Sequence, residues 1–420
     1  MARPQKIERV DVVLTAGCNL RCGYCYQNDK KPRSMEWETL RASADLLLAS
    51  RRPEVRMLFI GGEPLLEFPL IRRAVDYIEA VRPPHLTVRY QVVTNGTLLR
   101  EEQARFLVEH DFEVQLSFDG VPAAQDLRGP GTFAVLDRLL ERLREQHPHF
   151  FATKVSVALT LVPATIPFLA DSIDYFLGKG IPQIAVSPAL THQSAWRDEL
   201  MAELDAQFAR IFATSLAHLR QTGEVPFKLF RRERGESDEL PDGIGMCGVG
   251  RGETPAIDVD GQVHGCVMFV DSYQKFPTKF LRTRLEAMRM GALQDPRLPQ
   301  RMAAYPAAAA AARIFDDKQD KYSSYGRCGE CRFLARCGVC PVSIGHQPGN
   351  DDPRRIPDFQ CAYNLVSLAY RERFPFRPTA FERLSGEAMM PEDLGALLGL
   401  AEPRSSKRAV RGPRGPRRRA

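Results

Sequence analysis

The chain has 420 residues, of which 44% are apolar, enough for one large α/β domain with an extension or for two or three domains. It holds no apolar run of about 18 residues, and its N-terminal MARPQKIERV lacks an apolar segment. Neither a membrane span nor a secretory signal is therefore expected, and a cytoplasmic, reducing setting follows. The net charge of +6 is concentrated at one end: Arg404–Ala420 carries eight Lys/Arg and no acid, and setting those eight aside leaves −2 on the remainder. That tail reads as a disordered, solvated basic appendage, and nucleic-acid binding is not expected of it.

From residue 8 to about 190 the sequence alternates β-rich apolar runs with helical patterns. Strands are expected at Val10–Thr15, Val55–Ile60, Thr87–Val93, Glu113–Phe118, Lys154–Leu161 and Gln183–Ser187. Helices are expected at Glu36–Ala49, Leu70–Val81, Glu101–Glu109, Phe133–Gln146 and Ile166–Leu177, with a further helix over 198–222. Six βα units with short connections imply a parallel sheet, either doubly wound or curved into a barrel. The polar span RRERGESDELPDG reads as a linker, and from Cys247 onward the pattern turns to short Gly- and Cys-rich pieces. The alanine-rich Ala307–Ala312 reads as part of a helix in an insertion.

In parallel βα folds, chemistry gathers at the carboxyl ends of the strands. The first strand runs into LTAGCNLRCGYCYQ, where Cys18, Cys22 and Cys25 have the spacing C-x3-C-x2-C. The second ends in GGEP (Gly61–Pro64), the third in TNGT (Thr94–Thr97) and the fourth in SFDG (Ser117–Gly120). Each of the last three alone would pass as an ordinary turn; four polar, glycine-flanked loops on one rim point to a site. Three thiolates on one loop suit a metal centre. Zinc would require a fourth ligand or a water. A cubane iron–sulfur cluster held by three thiolates would keep one iron open.

The three-cysteine spacing, with Tyr24 before the last cysteine, and the GGEP loop together resemble the radical S-adenosylmethionine (radical SAM) superfamily. The resemblance implies a [4Fe–4S] cluster on Cys18, Cys22 and Cys25, with SAM on its fourth iron. It implies that Gly61, Gly62 and Glu63, followed by Pro64, receive the methionyl amino group. Thr94 and Asn95 would lie near the ribose, and Ser117 and Arg128 would hold the ribose or the methionyl carboxylate. Asp119 is expected to shape its own turn.

Seven further cysteines remain: Cys247, Cys266, Cys328, Cys331, Cys337, Cys340 and Cys361. Read alone, C-x2-C…C-x2-C suggests a zinc ribbon, but that reading leaves Cys247, Cys266 and Cys361 over. The set C-x13-G-x4-C, C-x2-C-x5-C-x2-C and a last Cys is similar to the SPASM extension of radical SAM enzymes, which implies two auxiliary [4Fe–4S] clusters and three in all. Cys328, Cys331, Cys337 and Cys361 would hold the outer one, and Cys247, Cys266 and Cys340 the inner one. Two residues rather than three precede Cys340, and no eighth cysteine exists. The inner set's last place falls to a carboxylate such as Glu253 or stays open for substrate.

The resemblance thus implies an α/β fold, a partial (β/α)6 TIM-like barrel with a Cys-rich Fe–S-binding C-terminal extension. The expected division is a core over 1–222, a linker over 223–246, the SPASM region over 247–375, a helical segment over 376–403 and the tail over 404–420. The implied activity is reductive cleavage of SAM to a 5′-deoxyadenosyl radical and oxidative modification of a peptide or protein side chain, of the thioether or C–C crosslink type. The auxiliary clusters would accept an electron or ligate substrate, and a low-potential donor of flavodoxin or ferredoxin type would feed the reaction. Sulfatase-maturing relatives have a carboxylate just after the counterpart of Cys266. Here that residue is Val267, which counts against formylglycine formation. The 17 residues before Cys18 leave no place for a leader-binding domain there. A small-molecule dehydrogenase and a non-catalytic metal-binding interaction protein are the alternatives. His264 reads as structural or solvated, Tyr26 and Asp29 as substrate-facing or loop-packing, and no general base is assigned.

Overall fold

The computed structural model describes residues 6–27, 30–190, 195–232, 249–273, 282, 286–311, 318–347, 350 and 352–375. Six strands and their helices follow one another as the periodicities predict. These are β1 (Arg9–Val13), α1 (Trp37–Leu48), β2 (Glu54–Ile60), α2 (Phe68–Val81), β3 (Thr87–Thr94), α3 (Glu101–Glu109), β4 (Glu113–Ser117), α4 (Pro122–Gln125), α5 (Thr132–Gln146), α6 (Pro148–Lys154), β5 (Val155–Leu161), α7 (Leu169–Lys179), β6 (Ile184–Pro188) and α8 (Leu200–Thr222). In α2 the buried residues Phe68, Ile71, Ala74, Val75 and Ile78 recur at helical spacing and turn one face to the sheet. Strand β5 alternates strictly: Val155, Val157, Leu159 and Leu161 are buried, while Ser156, Ala158 and Thr160 on the opposite face are half-buried.

Strands β1 to β6 are parallel and adjacent in sequence order, the arrangement of a partial barrel. The sheet does not stop at β1. Strand β7 (Ala256–Ile257) pairs parallel with Asp11 and Val12, and β8 (Gln262–His264) and β9 (Arg289–Ala292) follow antiparallel, so among the described residues nine strands form one sheet. The expected extension therefore begins inside the sheet of the core. Residues 223–232, placed by sequence in a polar linker, are packed: Val225, Phe227 and Phe230 are buried, and Phe227 bridges to Ile184 of β6. The stretch 233–248, the 376–403 segment and the 404–420 tail lie outside the described residues.

Beyond β9 come α9 (Leu298–Ala311), which contains the alanine run up to residue 311, the short hairpin β10 (Tyr322–Ser323) and β11 (Gly326–Arg327), α10 (Pro341–Gly345) and α11 (Asp358–Arg373). Aromatic contacts dock α11 on the core. Tyr363 meets Phe208 of α8 edge-on at 5.8 Å and donates to the Val186 carbonyl at 3.0 Å, and Phe374 stacks on Phe230 at 4.7 Å. Among the described residues no helix is long and apolar enough to cross a membrane.

Candidate cofactor and cluster sites

The loop after β1 is zipped to the loop after β2 by backbone bonds. The Gly62 N–H donates to the Thr15 carbonyl at 2.7 Å and the Glu63 N–H to the Gly17 carbonyl at 2.9 Å. The approach explains both glycines. A Cβ on Gly61 would stand 2.6 Å from the Thr15 oxygen, and one on Gly62 would stand 2.2 Å from the Gly17 oxygen. Pro64 opens a one-turn helix over Pro64–Glu67, where its missing N–H is no loss.

Glu63 is fully buried, and its carboxylate joins the second loop to the third. One oxygen accepts the Thr94 hydroxyl at 2.6 Å and the Leu65 N–H at 3.1 Å; the other accepts the Asn95 N–H at 2.8 Å. Burial raises its pKa, and the three hydrogen bonds pull the other way. Asn95 reaches back to the cysteine loop, donating to the Asn19 side chain at 2.9 Å. Ser117 ends β4 half-buried, in register with Ala158.

Cys18, Cys22 and Cys25 are half-buried free thiols on one loop. Burial raises the Cys18 and Cys22 pKa values. Lys30 works against the rise at both, the Leu20 N–H also at Cys18 and Arg128 also at Cys22. Arg128 itself is buried and pairs with Asp119 at 2.8 Å. Asp119 thus does more than shape its turn: it is the acceptor that fixes Arg128, a role sequence reasoning missed. Gln125, also missed, is fully buried and accepts the Asp119 N–H at 2.8 Å.

The four cysteines that the resemblance assigned to an outer set lie together. Cys328, Cys331, Cys337 and Cys361 line one pocket with Lys321, Phe333, Ile356 and Asn364. Cys361 arrives on α11, while the other three come from the 328–337 loops. Asn364 donates to the Cys337 sulfur at 3.3 Å, and the Ser323 hydroxyl donates to the Cys361 sulfur at 3.1 Å. Burial pushes the Cys337 thiol up to about 12 and the Cys361 thiol up to about 11.

The inner set is only partly described. Cys247 lies outside the described residues, while Cys266 and Cys340 are half-buried at the edge of the main core. Glu253 is committed elsewhere, paired with Arg52 at 3.2 Å and Arg251 at 3.3 Å. His264 is fully buried, so the solvated reading is excluded, and neither ring nitrogen has a hydrogen-bond partner among the described residues. Tyr26 packs on the buried Tyr273 ring at 5.4 Å; Asp29 lies outside the described residues. Among the described residues no three His, Cys, Asp or Glu side chains converge as a finished metal cage. The fit to clusters rests instead on the donor chemistry: one loop with three thiols, one pocket with four, and thiols reduced throughout the described chain.

Comparison with known proteins agrees with this geometry. The radical SAM superfamily model matches residues 12–163. An uncharacterised protein of Methanocaldococcus jannaschii is 32% identical over 176 residues, 41% of this chain and 59% of that protein. A cysteine-type anaerobic sulfatase-maturating enzyme of Clostridium perfringens is 30% identical over 149 residues, 32% of this chain and 40% of that enzyme. The match thus spans about half the length of these relatives. Among solved structures, native anSMEcpe with bound AdoMet and the Kp18Cys peptide superposes with a TM-score of 0.64 at 19% identity, over 90% of this chain and 99% of that one. Streptococcus suis SuiB bound to its precursor peptide SuiA gives 0.52 at 15% identity, over 85% and 76%. The three-cysteine loop, the glycine-zipped GGEP turn and strands β2 to β5 of the parallel partial barrel all fall within the residues that match the radical SAM superfamily model, and the fold is that of the solved radical SAM neighbours.

Proposed function

We propose that the chain oxidatively modifies a side chain of a peptide or protein substrate, forming a thioether or carbon–carbon bond, with three [4Fe–4S] clusters and SAM as cofactors. The observation that carries this reading is the pairing of two cysteine sets on one fold: the three-thiol loop at the β1 rim and the four-thiol pocket under α11. Fold neighbours solved with bound peptides, anSMEcpe and SuiB, support a peptide as substrate class.

The chemistry that SAM and its cluster supply when bound is reductive cleavage of the sulfonium and abstraction of a hydrogen atom from a substrate carbon. The protein's part is holding and excluding. Cys18, Cys22 and Cys25 would hold the cluster. Gly61 and Gly62, lacking Cβ atoms, would present backbone carbonyls to the methionyl ammonium. Glu63 fixes the turn at Thr94 and Asn95 beside the ribose position. Ser117 and Arg128 would take the ribose and carboxylate ends. The half-buried polar face of β5, with Ser156 and Thr160, would line the substrate chamber. Cys328, Cys331, Cys337 and Cys361 would hold the outer cluster, and Cys247, Cys266 and Cys340 the inner one, as electron exit or substrate anchor.

Anaerobic reconstitution followed by iron and sulfide analysis tests the reading. The expected protein is brown, holds about twelve irons per chain, and cleaves SAM when reduced with dithionite or a reduced flavodoxin. A co-expressed Cys- or aromatic-containing peptide encoded beside the gene is expected to lose two mass units from hydrogen. A colourless protein with zinc at Cys18, Cys22 and Cys25 would overturn the proposal, and SAM cleavage that modifies only a small molecule would move the substrate class.

A further inference from the structure

The aromatic residue between the second and third cysteines is part of a buried polar relay. Tyr24 is 7% exposed, and its hydroxyl donates to Oδ2 of Asp119. Oδ1 of the same carboxylate accepts Nη2 of Arg128 at 2.8 Å and the Thr160 N–H at 2.9 Å. The Arg128 guanidinium lies over the Tyr24 ring at 5.4 Å from its centre. A backbone bond runs alongside, from the Gly23 N–H to the Leu127 carbonyl at 2.9 Å. One carboxylate therefore ties together the cysteine loop, the turn that carries Arg128, and strand β5.

The relay leaves one donor over. Arg128 is 8% exposed, and its Nε is buried without a hydrogen-bond partner among the described residues. A buried guanidinium N–H without an acceptor is costly, and its natural acceptor is a carboxylate or phosphate oxygen. Asp119 cancels the charge of Arg128 on the Nη2 side and fixes the plane of the group, so the unmatched N–H has a set direction. The carboxylate is itself held from the far side by the Tyr24 hydroxyl.

The geometry points to Tyr24 and Asp119 as positioning residues that hold Arg128 with its Nε–H ready for the carboxylate of a ligand seated at the cysteine loop. The inference rests on the reading above that SAM is that ligand, and it assigns the residue inside the cysteine motif a task beyond filling space. Ligand selectivity at this loop depends on a hydroxyl that no substrate atom touches.

The test compares two ligands on reconstituted holoenzyme: SAM and decarboxylated SAM, which lacks the carboxylate. Wild-type protein is expected to bind SAM at least about tenfold more tightly, as for a lost charge-assisted hydrogen bond. Tyr24→Phe should keep its iron content, lose about tenfold in SAM affinity, and bind decarboxylated SAM unchanged. Arg128→Lys, which keeps charge but lacks Nε, should likewise lose about tenfold in affinity for SAM alone and serves where Tyr24→Phe fails to fold. Equal losses for both ligands, or no loss for either, would overturn the relay while leaving the enzyme reading intact. Iron-loaded wild type that binds neither ligand would instead overturn the reading on which the relay rests.

Discussion

Gly62→Ala is the sharpest test of how the site is built. The added methyl would sit 2.2 Å from the Gly17 oxygen, 2.6 Å from the Gly17 carbonyl carbon and 3.0 Å from the Ala16 oxygen. All three are backbone atoms of the cysteine loop, so no side chain can rotate away. The loops must separate by more than an ångström, and that breaks the bonds from Gly62 to Thr15 and from Glu63 to Gly17. Two lost backbone hydrogen bonds contribute about 1–3 kcal/mol and overpacking a further 1–3 kcal/mol, so a destabilisation of about 2–6 kcal/mol follows. Urea unfolding of the metal-free protein measures that loss, and iron analysis after reconstitution reports on the loop, with about four irons missing per chain. Gly178→Ala is the control, since a Cβ there meets nothing within 4 Å on the exposed side of α7; it should stabilise by about 0.5–1 kcal/mol. A Gly62→Ala protein with wild-type midpoint and iron content would refute the claim that close backbone approach shapes this rim.

Glu63→Gln replaces an acceptor-only carboxylate with a group that must point an NH2 at one of three donors, and about 1–3 kcal/mol of stability should be lost; an unchanged melting curve would show that the carboxylate does not bind the turn. Cys361→Ala should remove about four of about twelve irons while SAM cleavage at the first loop persists, and loss of iron from the first loop as well would contradict two separate sites. In metal-free protein, the Cys337 thiol is raised from 9.0 to about 12. Its stabilising contribution is complete below pH 9 and shrinks as pH rises toward 12, because the unfolded chain ionises first. Stability should fall by about 1.4 kcal/mol per pH unit for this thiol, and the slope should vanish in cluster-loaded protein, where the sulfur is already a thiolate. A flat profile for the metal-free protein would refute that environment for Cys337.

Much of this was legible in the sequence for identifiable reasons. The six strands and five flanking helices carry strong periodicity, and Glu101–Glu109 falls where its pattern placed it. Helix 166–177 splits instead into a 3-10 turn over Pro163–Phe168 and α7, because Pro167 has no N–H to give the first turn. Strands β7 and β8 went unseen because two or three residues cannot show an alternation. Spacing alone groups Cys340 with Cys328, Cys331 and Cys337; it is the resemblance that puts Cys361 there, and the four cysteines it names do line one pocket. The part played by Asp119 and Gln125 left no trace in the sequence: a DG turn looks the same whether its carboxylate faces water or a buried arginine. His264 shows the same limit, for nothing beside it in the chain signals that it is fully buried.

Strand β1 lies between β2 and β7, hydrogen-bonded to residues 56–60 on one flank and to 256–257 on the other. A nascent chain emerging from the ribosome therefore exhibits the cysteine loop long before the second flank exists. Until then the strand's outer edge is unsatisfied and open to pairing with another chain.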